Sequence, residues 1–193
     1  LSLLTQSLEG KHTLNTPLVY VVGEQGSGRS HLLHGLCAYA VELDKVPFLL
    51  AMDDLDHIAP AMLEGLERLD LVCIDNLDSI VANKEWEFGL FDLINRILES
   101  GRCQLVMTAN QSPVQLAVSL PDLKSRLSWG ASYKLHKLDE KAQINVLRER
   151  ANLRGLSLSE DVARFMLTRT DRGMRSLMET LDTLDKASMA AQR

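Results

Sequence analysis

The amino-acid sequence predicts an α/β fold with a parallel sheet covered by helices on both faces, followed by a small all-helical domain. Short apolar runs alternate with segments of helical periodicity over the first part of the chain. These runs are apolar at successive positions, which is typical of strands buried on both faces of a parallel sheet. Beyond residue 136 only helical periodicity remains. The predicted domains are therefore residues 1–136 and residues 137–193.

Five short segments are predicted to be the strands of this sheet. Each is an apolar run bounded by charged or turn-forming residues, as strands usually are. The five segments are Leu18–Val22, Val46–Met52, Leu71–Ile74, Gln104–Thr108 and, with a weaker pattern, Ser132–His136. Parallel neighbours require a crossover between strands, so helices are expected in the intervening segments.

Helical periodicity in the first domain fills these gaps. Apolar residues recur at three and four positions after the first strand, before the third strand and ahead of Gly101, a predicted helix stop. The segment before the third strand carries Leu63, Leu66 and Leu69 at this spacing. The N-terminal leucines, Leu1, Leu4 and Leu8, predict a helix packed under the sheet. Trp86 and Trp129 are expected to be packing anchors.

Three capping residues predict three helices in the second domain. Asp139 is expected to cap a helix that runs to about Arg154, where Gly155 ends it. Ser159 and Asp171 are expected to cap the second and third helices, which run to about residues 168 and 188.

Charge is distributed unevenly along the chain. Residues 1–123 contain 7 Lys and Arg against 17 Asp and Glu, whereas residues 124–193 contain 14 against 9. Sequence-independent DNA binding needs a basic face that displaces counterions, so the acidic first domain predicts little direct DNA binding. No apolar run reaches the roughly 18 residues of a membrane span, so no membrane association is expected. The three widely spaced cysteines form no disulfide framework, which favours a reducing, cytoplasmic location.

The segment between the first strand and the first long helix contains the strongest chemical signal. Its residues are Gly23, Glu24, Gln25, Gly26, Ser27, Gly28, Arg29 and Ser30. They fit the P-loop pattern G-x-x-x-x-G-K-[ST], except that Arg29 replaces Lys. Backbone N–H groups of such a loop surround phosphate oxygens at a helix N-terminus, and the hydroxyl of Ser30 can ligate magnesium. The sequence therefore predicts a site for a nucleotide phosphate.

Two further residues bear on catalysis at this site. Asp75 ends the third strand, where the corresponding acid of P-loop enzymes holds magnesium, often through water. The next residue, Asn76, is an amide and cannot accept a proton from an attacking water. The planar guanidinium of Arg29 does not reproduce the compact charge of Lys. Nucleotide binding is therefore expected, together with weak or absent intrinsic hydrolysis, so enzymatic activity in isolation is uncertain.

Several of these segments together resemble those of AAA+ ATPases, specifically the DnaA/Hda family of bacterial replication initiation. The resemblance covers nearly the whole chain. It lies in the P-loop, in the strand that ends at Asn110, and in the following segments: Ser30–His34, Leu71–Asn76, Phe91–Gly101, Leu123–Arg126, Trp129–Gly130 and Leu184–Ser188.

The resemblance implies a negative regulator of replication initiation. Loaded with ADP (or ATP) and Mg, and bound to the DNA-loaded sliding clamp, it would stimulate hydrolysis of the ATP held by DnaA. The matching positions imply that Arg126 is an arginine finger offered in trans. They also imply that Arg175 is a lid arginine that senses this chain's own nucleotide, that Asn110 is a sensor at the sheet edge, and that His31 adjoins the nucleotide.

Two features of the family are not evident in this sequence. The clamp-binding peptide is not recognisable before the first domain, and no helix-turn-helix DNA-binding domain follows the second. We therefore expect both ends to be truncated. Two alternatives stay open, a helicase-loader-type ATPase resembling DnaC and a P-loop small-molecule kinase, and a homo-oligomer is a further candidate assembly.

Overall fold

The computed structural model describes residues 2–10, 16–53, 57–170 and 173–191. It divides into two compact units, Leu1–Leu135 and His136–Arg193. We call the first unit the α/β body and the second the helical unit.

The α/β body alternates strands with helices along the chain. Its strands are β1 (Leu18–Gly23), β2 (Pro47–Ala51), β3 (Leu71–Asp75), β4 (Gln104–Ala109) and β5 (Ala131–Leu135). Its α-helices within the described residues are α1 (Ser2–Leu8), α2 (Arg29–Glu42), α3 (Lys84–Ser100) and α4 (Pro121–Trp129). Short 3₁₀ turns lie at Pro60–Leu63, Leu66–Arg68 and Leu77–Ile80.

The five strands form one parallel sheet in the order β2-β3-β4-β1-β5. In its register, Val22 of β1 pairs with Ala109 of β4, and Ile74 of β3 pairs with Met107. The loop after β1, the acid at the end of β3 and the residues after β4 therefore meet at one edge of the sheet. This is the edge at which α/β proteins bind ligands.

Alternate residues of the strands point to opposite faces, and helices cover both faces. On one face, apolar side chains of β1, β3 and β4 pack against α3 and α4. On the other face, Val19, Val21 and Cys73 pack against Leu33 and Leu36 of α2. Leu4 and Leu8 of α1 are buried in the same cluster, which confirms the predicted N-terminal helix. Leu1 lies outside the described residues.

The helix predicted before β3 is wrong in type. The segment forms two 3₁₀ turns, separated by Gly65 in a left-handed conformation with φ of 78°. Pro60 begins the first turn, and a left-handed residue interrupts α-helical hydrogen bonding. Of the three leucines at helical spacing, Leu63 and Leu66 are nevertheless buried and Leu69 is half-buried. Helical spacing of apolar residues here reports the buried side, not the kind of helix.

The helix α3 ends at Gly101, as predicted. The side chain of Asn83 accepts a hydrogen bond from the backbone N–H of Trp86 at 3.3 Å, and Gly101 ends the helix with φ of 62°. Trp86 is buried as expected, but Phe88 is 64% exposed and so does not belong to the packed face. Trp129 is 66% exposed, and its predicted role as a packing anchor is wrong.

The helical unit consists of α5 (Glu140–Leu153), α6 (Glu160–Arg169) and α7 (Met174–Ala191). As predicted, the Asp139 carboxylate caps α5 and the Ser159 hydroxyl caps α6, each accepting a backbone N–H. The predicted cap Asp171 lies outside the described residues. The core of this unit is formed by Ile144, Leu147, Ala151, Ala163, Met166, Leu167, Leu177 and Leu181.

The parallel five-stranded sheet with helices on both faces, followed by a helical unit, confirms the predicted fold class. Within the described ranges, no helix combines the length and the apolar character needed to cross a membrane.

Candidate nucleotide site

The loop from Gly23 to Ser30 joins β1 directly to α2. Gly26 and Gly28 have φ of 80° and 98°, a left-handed conformation that L side chains rarely adopt. The Ser27 N–H donates to the carbonyl of Glu24 at 3.0 Å, and the Leu32 N–H donates to the carbonyl of Gly28 at 2.9 Å. The loop is thus a tight turn that leads into a helix N-terminus, where the first N–H groups have no intrahelical acceptor.

Gly23 allows this loop to pack against the sheet. A Cβ at Gly23 would lie 2.5 Å from Ser27 Oγ and 3.0 Å from the carbonyl oxygen of Leu135 on β5. Any larger residue would push the loop away from the strand. The first glycine of the motif is therefore required by packing, whereas Gly26 and Gly28 are required by their backbone conformation.

Two buried polar atoms of the loop lack hydrogen-bond partners among the described residues. They are Ser27 Oγ and Arg29 Nη1. A buried donor without an acceptor costs about 1–3 kcal/mol, so such groups usually mark a place for a ligand or water. Oxygens of a phosphate are acceptors of the kind that both atoms lack. The residues present therefore fit a nucleotide phosphate at this loop.

The Arg29 side chain is buried and extends to the end of β3. Its Nη2 donates to Asn76 Oδ1 at 3.0 Å, and its Nη1 lies 3.8 Å from Asp78 Oδ2. Asn76 Nδ2 in turn donates to Asp53 Oδ1 at 2.7 Å. An arginine at the lysine position of the motif therefore reaches beyond the loop, since its guanidinium hydrogen-bonds to Asn76 and lies within ion-pair distance of Asp78.

Asp75, predicted as a magnesium ligand, is buried at the carboxyl end of β3. Its Oδ1 accepts the hydroxyl of Thr108 in a short hydrogen bond, and the N–H of Asn76 at 3.1 Å. Asn76 has φ of 57°, a left-handed conformation that Asn tolerates better than most residues. These bonds fix the carboxylate at the sheet edge, close to the loop that carries Arg29.

The predicted sensor, Asn110, lies just beyond β4 and contacts Asp78, an acid outside the predicted site residues. Asp78 Oδ2 accepts the Asn110 backbone N–H at 2.7 Å and its Nδ2 at 3.1 Å. Asp53, which accepts from Asn76, is likewise outside the predicted site residues. The available signal was topological, because Asp53 and Asp78 follow the carboxyl ends of β2 and β3, the edge where ligands of parallel sheets bind.

Tyr20 supports this edge from the core. Its hydroxyl donates to the carbonyl of Gln111 at 2.8 Å and so holds the segment that follows Asn110. Burial, and then the charge of Asp78, raise the pKa of Tyr20 well above its usual range. The hydroxyl therefore stays protonated and remains a donor at all physiological pH values.

The remaining predicted site residues lie at several places. Glu24, Gln25, Ser30 and His31 are exposed on the loop and on the first turn of α2. Among the described residues, no three His, Cys, Asp or Glu side chains form a metal-binding cluster. Magnesium in P-loop sites is held largely by phosphate and water, with few protein ligands, so this finding does not bear on Ser30 and Asp75.

The two predicted functional arginines are on different units. Arg126 is half-buried on α4, and its Cζ lies 5.0 Å from the centroid of the exposed Trp129 ring, within cation–π distance. Arg175 is on α7, and its side chain lies outside the described part of the structure.

Comparisons with known proteins identify relatives of both units. The model of the bacterial DnaA ATPase domain matches residues 6–134, and the model of the Hda lid domain matches residues 139–193. Domain III of the Thermotoga maritima replication initiation protein DnaA is similar with a TM-score of 0.79 and 22% identity, covering 100% of this chain and 85% of that one.

Two further solved structures share the fold. AMPPCP-bound DnaA from Aquifex aeolicus has a TM-score of 0.77 and 19% identity over 95% of this chain, which spans 59% of that chain. Thermotoga maritima RuvB has a TM-score of 0.70 and 17% identity over 99% of this chain and 61% of that chain. The DnaA ATPase-domain model covers most of the α/β body, and the chain therefore belongs to the bacterial DnaA family of AAA+ proteins, with a lid of the Hda type.

Proposed function

We propose that this chain is a negative regulator of DNA replication initiation, which stimulates hydrolysis of the ATP bound to the initiator DnaA. The observation that carries the proposal is the position of Arg126 beside the exposed Trp129 in the last turn of α4. A guanidinium at the end of a surface helix can be offered to a neighbouring subunit. The match of the last 55 residues to the Hda lid supports the regulator over the initiator.

Nucleotide binding in this proposal uses the Gly23–Ser30 loop and the adjoining His31. A DnaA from Aquifex aeolicus binds AMPPCP, which supports an adenine nucleotide as the ligand here, and we propose ADP. Ser30 would ligate Mg directly and Asp75 would do so through water. When bound, the metal would neutralise charge on the phosphates. Arg175 would sense the nucleotide from the lid, and Asn110 from the sheet edge.

Weak hydrolysis in cis follows from the side chains that surround the loop. Asn76 has no carboxylate with which to polarise water, and its amide is occupied by Arg29 and Asp53. The guanidinium of Arg29 is likewise directed to Asn76 and Asp78. The chain would therefore hold its own nucleotide as a ligand and act on the nucleotide of its partner.

The action in trans requires only one positioned charge. An arginine supplied to another subunit's phosphates stabilises the charge that develops in phosphoryl transfer, and is worth about 10³ to 10⁵ in rate in comparable systems. Arg126 would fill this role toward DnaA. The DNA-loaded sliding clamp would be the second partner. The protein would bind both partners in the cytoplasm.

The test is to mix the protein with ADP, ATP-loaded DnaA and DNA-loaded clamp, and to measure phosphate release. We expect release that depends on the protein, on the clamp and on Arg126. Hydrolysis by DnaA that is unchanged by the protein, in a mixture where the clamp is loaded, would refute the proposed function.

A further inference from the structure

Trp129 is an exposed aromatic side chain at the end of α4, three positions after Arg126. Residues at this spacing are neighbours on a helix surface. The Cζ of Arg126 lies 5.0 Å from the centroid of the Trp129 ring, within the roughly 6 Å of a cation–π contact. We propose that Trp129 is a positioning residue, whose ring holds the Arg126 guanidinium and leaves its N–H groups available to the phosphates on a partner subunit. This inference rests on the proposed function and names a residue that acts through Arg126.

The contact with Trp129 does not use the hydrogen-bond donors of Arg126. A cation–π contact needs no carboxylate or carbonyl acceptor, so it does not commit the five N–H groups of a guanidinium. Within the described part of the chain, the Arg126 side chain forms no hydrogen bond and no ion pair. Other arginines of this chain instead donate to side-chain oxygens, among them Arg29, Arg96 and Arg154. Arg126 is therefore held by a contact that does not compete with a phosphate.

The backbone that carries Trp129 is anchored to the core of the α/β body. Leu127, two residues earlier on α4, is buried. Directly after Trp129, a Cβ at Gly130 would lie 3.0 Å from the carbonyl oxygen of Leu18 on β1, so the chain packs tightly against the sheet there. Trp129 itself is 66% exposed and contributes little to this packing. Replacement of its ring should therefore affect the position of Arg126 more than the stability of the fold.

A guanidinium that is held before the partner binds can act at a smaller cost. A mobile arginine side chain loses rotamer freedom when it becomes ordered, whereas a preorganised charge needs no reorganisation at the moment of reaction. An exposed cation–π contact favours one position of the side chain by a factor of about two to five. We expect Trp129 to contribute the same factor to the rate of hydrolysis that Arg126 stimulates.

The experiment compares three variants of the full chain in the mixture of ADP, ATP-loaded DnaA and DNA-loaded clamp. Trp129→Leu removes the aromatic ring and keeps an apolar side chain, and Trp129→Phe keeps a smaller ring. Phe165→Leu is the matched control, because Phe165 is an exposed ring on α6 whose centroid lies 5.4 Å from the Cζ of Arg169. Phosphate release is measured over a range of protein concentrations, which gives a maximal rate and a half-saturating concentration.

We expect Trp129→Leu to lower the maximal rate about two- to fivefold, with the half-saturating concentration and the ADP affinity unchanged. Trp129→Phe should lie between this variant and the wild type, because Trp is a better cation–π partner than Phe. Phe165→Leu should leave all three quantities unchanged. In NMR spectra of the isolated wild type, the ring current of Trp129 should shift the side-chain protons of Arg126, and Trp129→Leu should abolish this shift.

Equal maximal rates of the wild type and Trp129→Leu would overturn the inference. A raised half-saturating concentration at an unchanged maximal rate would also overturn it, because Trp129 would then bind the partner and not position Arg126. If neither Trp129 variant folds, the wild-type NMR spectrum decides, since Arg126 protons without a ring-current shift would contradict the proposed contact. A wild type that stimulates no hydrolysis would instead refute the proposed function, so the wild-type rate distinguishes the two failures.

Discussion

Glu87 on α3 and Ser119 ahead of α4 are joined through both oxygens of a buried carboxylate. The Ser119 N–H lies 3.0 Å from each oxygen, and its hydroxyl donates to Oε2 at 2.5 Å. The N–H groups of Leu120 and Ala82 donate to the same carboxylate at 2.9 and 3.2 Å. Glu87 therefore anchors the start of α4, the helix that presents Arg126.

This anchor predicts a stability that depends on pH. Burial raises the pKa of Glu87, but the hydrogen bonds from Ser119, Leu120 and Ala82 outweigh it, so the pKa lies below its usual range. The stabilisation is then complete above the unfolded value of about 4.3 and is lost as the pH falls through the folded pKa. We expect Glu87→Gln to lower the free energy of unfolding near neutral pH by about 1–3 kcal/mol.

Urea denaturation at several pH values checks this. The deficit of Glu87→Gln relative to the wild type should shrink on acidification, because the wild type loses the same bonds. The exposed Glu64 provides a control, and Glu64→Gln should change stability by less than about 0.5 kcal/mol. A deficit that is constant down to the most acidic stable pH would contradict the assigned role of the carboxylate.

Gly28 should be indispensable for nucleotide binding. Its φ of 98° is unfavourable for a β-branched residue, and a side chain there would block the approach of phosphate to the backbone. We expect Gly28→Val to weaken ADP binding at least about tenfold in calorimetry. Gly35→Ala is the matched control, since Gly35 lies inside α2 with nothing within 4 Å of an added Cβ. An unchanged ADP affinity of Gly28→Val would show that this loop does not bind the nucleotide.

Hydrolysis of ATP by the isolated protein should be very slow. Neither Asn76 nor Arg29 supplies what an efficient P-loop enzyme uses at these positions, and the two side chains bind each other. Steady-state phosphate release should stay well below about 1 per second, the lower end of the ordinary enzyme range. Faster turnover would instead favour a helicase-loader-type ATPase.

Substitutions of Arg126 and Arg175 should affect two different quantities, the stimulation of DnaA and the affinity for ADP. Arg126→Ala should leave ADP affinity near normal and remove most of the stimulation of DnaA. The reason is that only the transition state on the partner loses the arginine charge that stabilises it. Arg175→Ala should weaken ADP binding. The variant should also stimulate DnaA less, because a smaller fraction of it carries nucleotide. Saturating ADP should restore part of this stimulation.

Both quantities are measured for both variants, ADP affinity by calorimetry and stimulation by phosphate release. Loss of ADP binding in Arg126→Ala together with normal binding in Arg175→Ala would show that the two roles are inverted.

The three cysteines should differ in reactivity. A hydrogen bond from the Cys73 thiol lowers the pKa of the half-buried Cys37. The same bond, together with burial, raises the pKa of Cys73, and burial raises that of Cys103 to about 12. Since the thiolate is the nucleophile, iodoacetamide near neutral pH should label Cys37 first in the folded protein, as read by peptide mass spectrometry. Equal labelling of all three would contradict this order.

Local sequence determined the elements of the fold and the position of the phosphate loop. Successive apolar residues defined the strands, capping residues such as Asp139 and Ser159 defined helix starts, and Gly101 defined a helix end, because each acts through neighbouring backbone groups. The glycine spacing of the loop likewise encodes a local backbone shape. The spacing around Leu63 predicts the wrong helix type, because periodicity indicates which residues are buried, whereas Pro60 and Gly65 locally oppose an α-helix.

Only the tertiary structure decided which side chains meet at the sheet edge. Arg29 and Asn76 are far apart in sequence, and so are Asp78 and Asn110, yet the parallel register brings each pair into contact. The same holds for Glu87 and Ser119, and for the exposure of Trp129. A single sequence carries no record of such pairs, because strand order and helix packing are set by the whole core and not by neighbours along the chain.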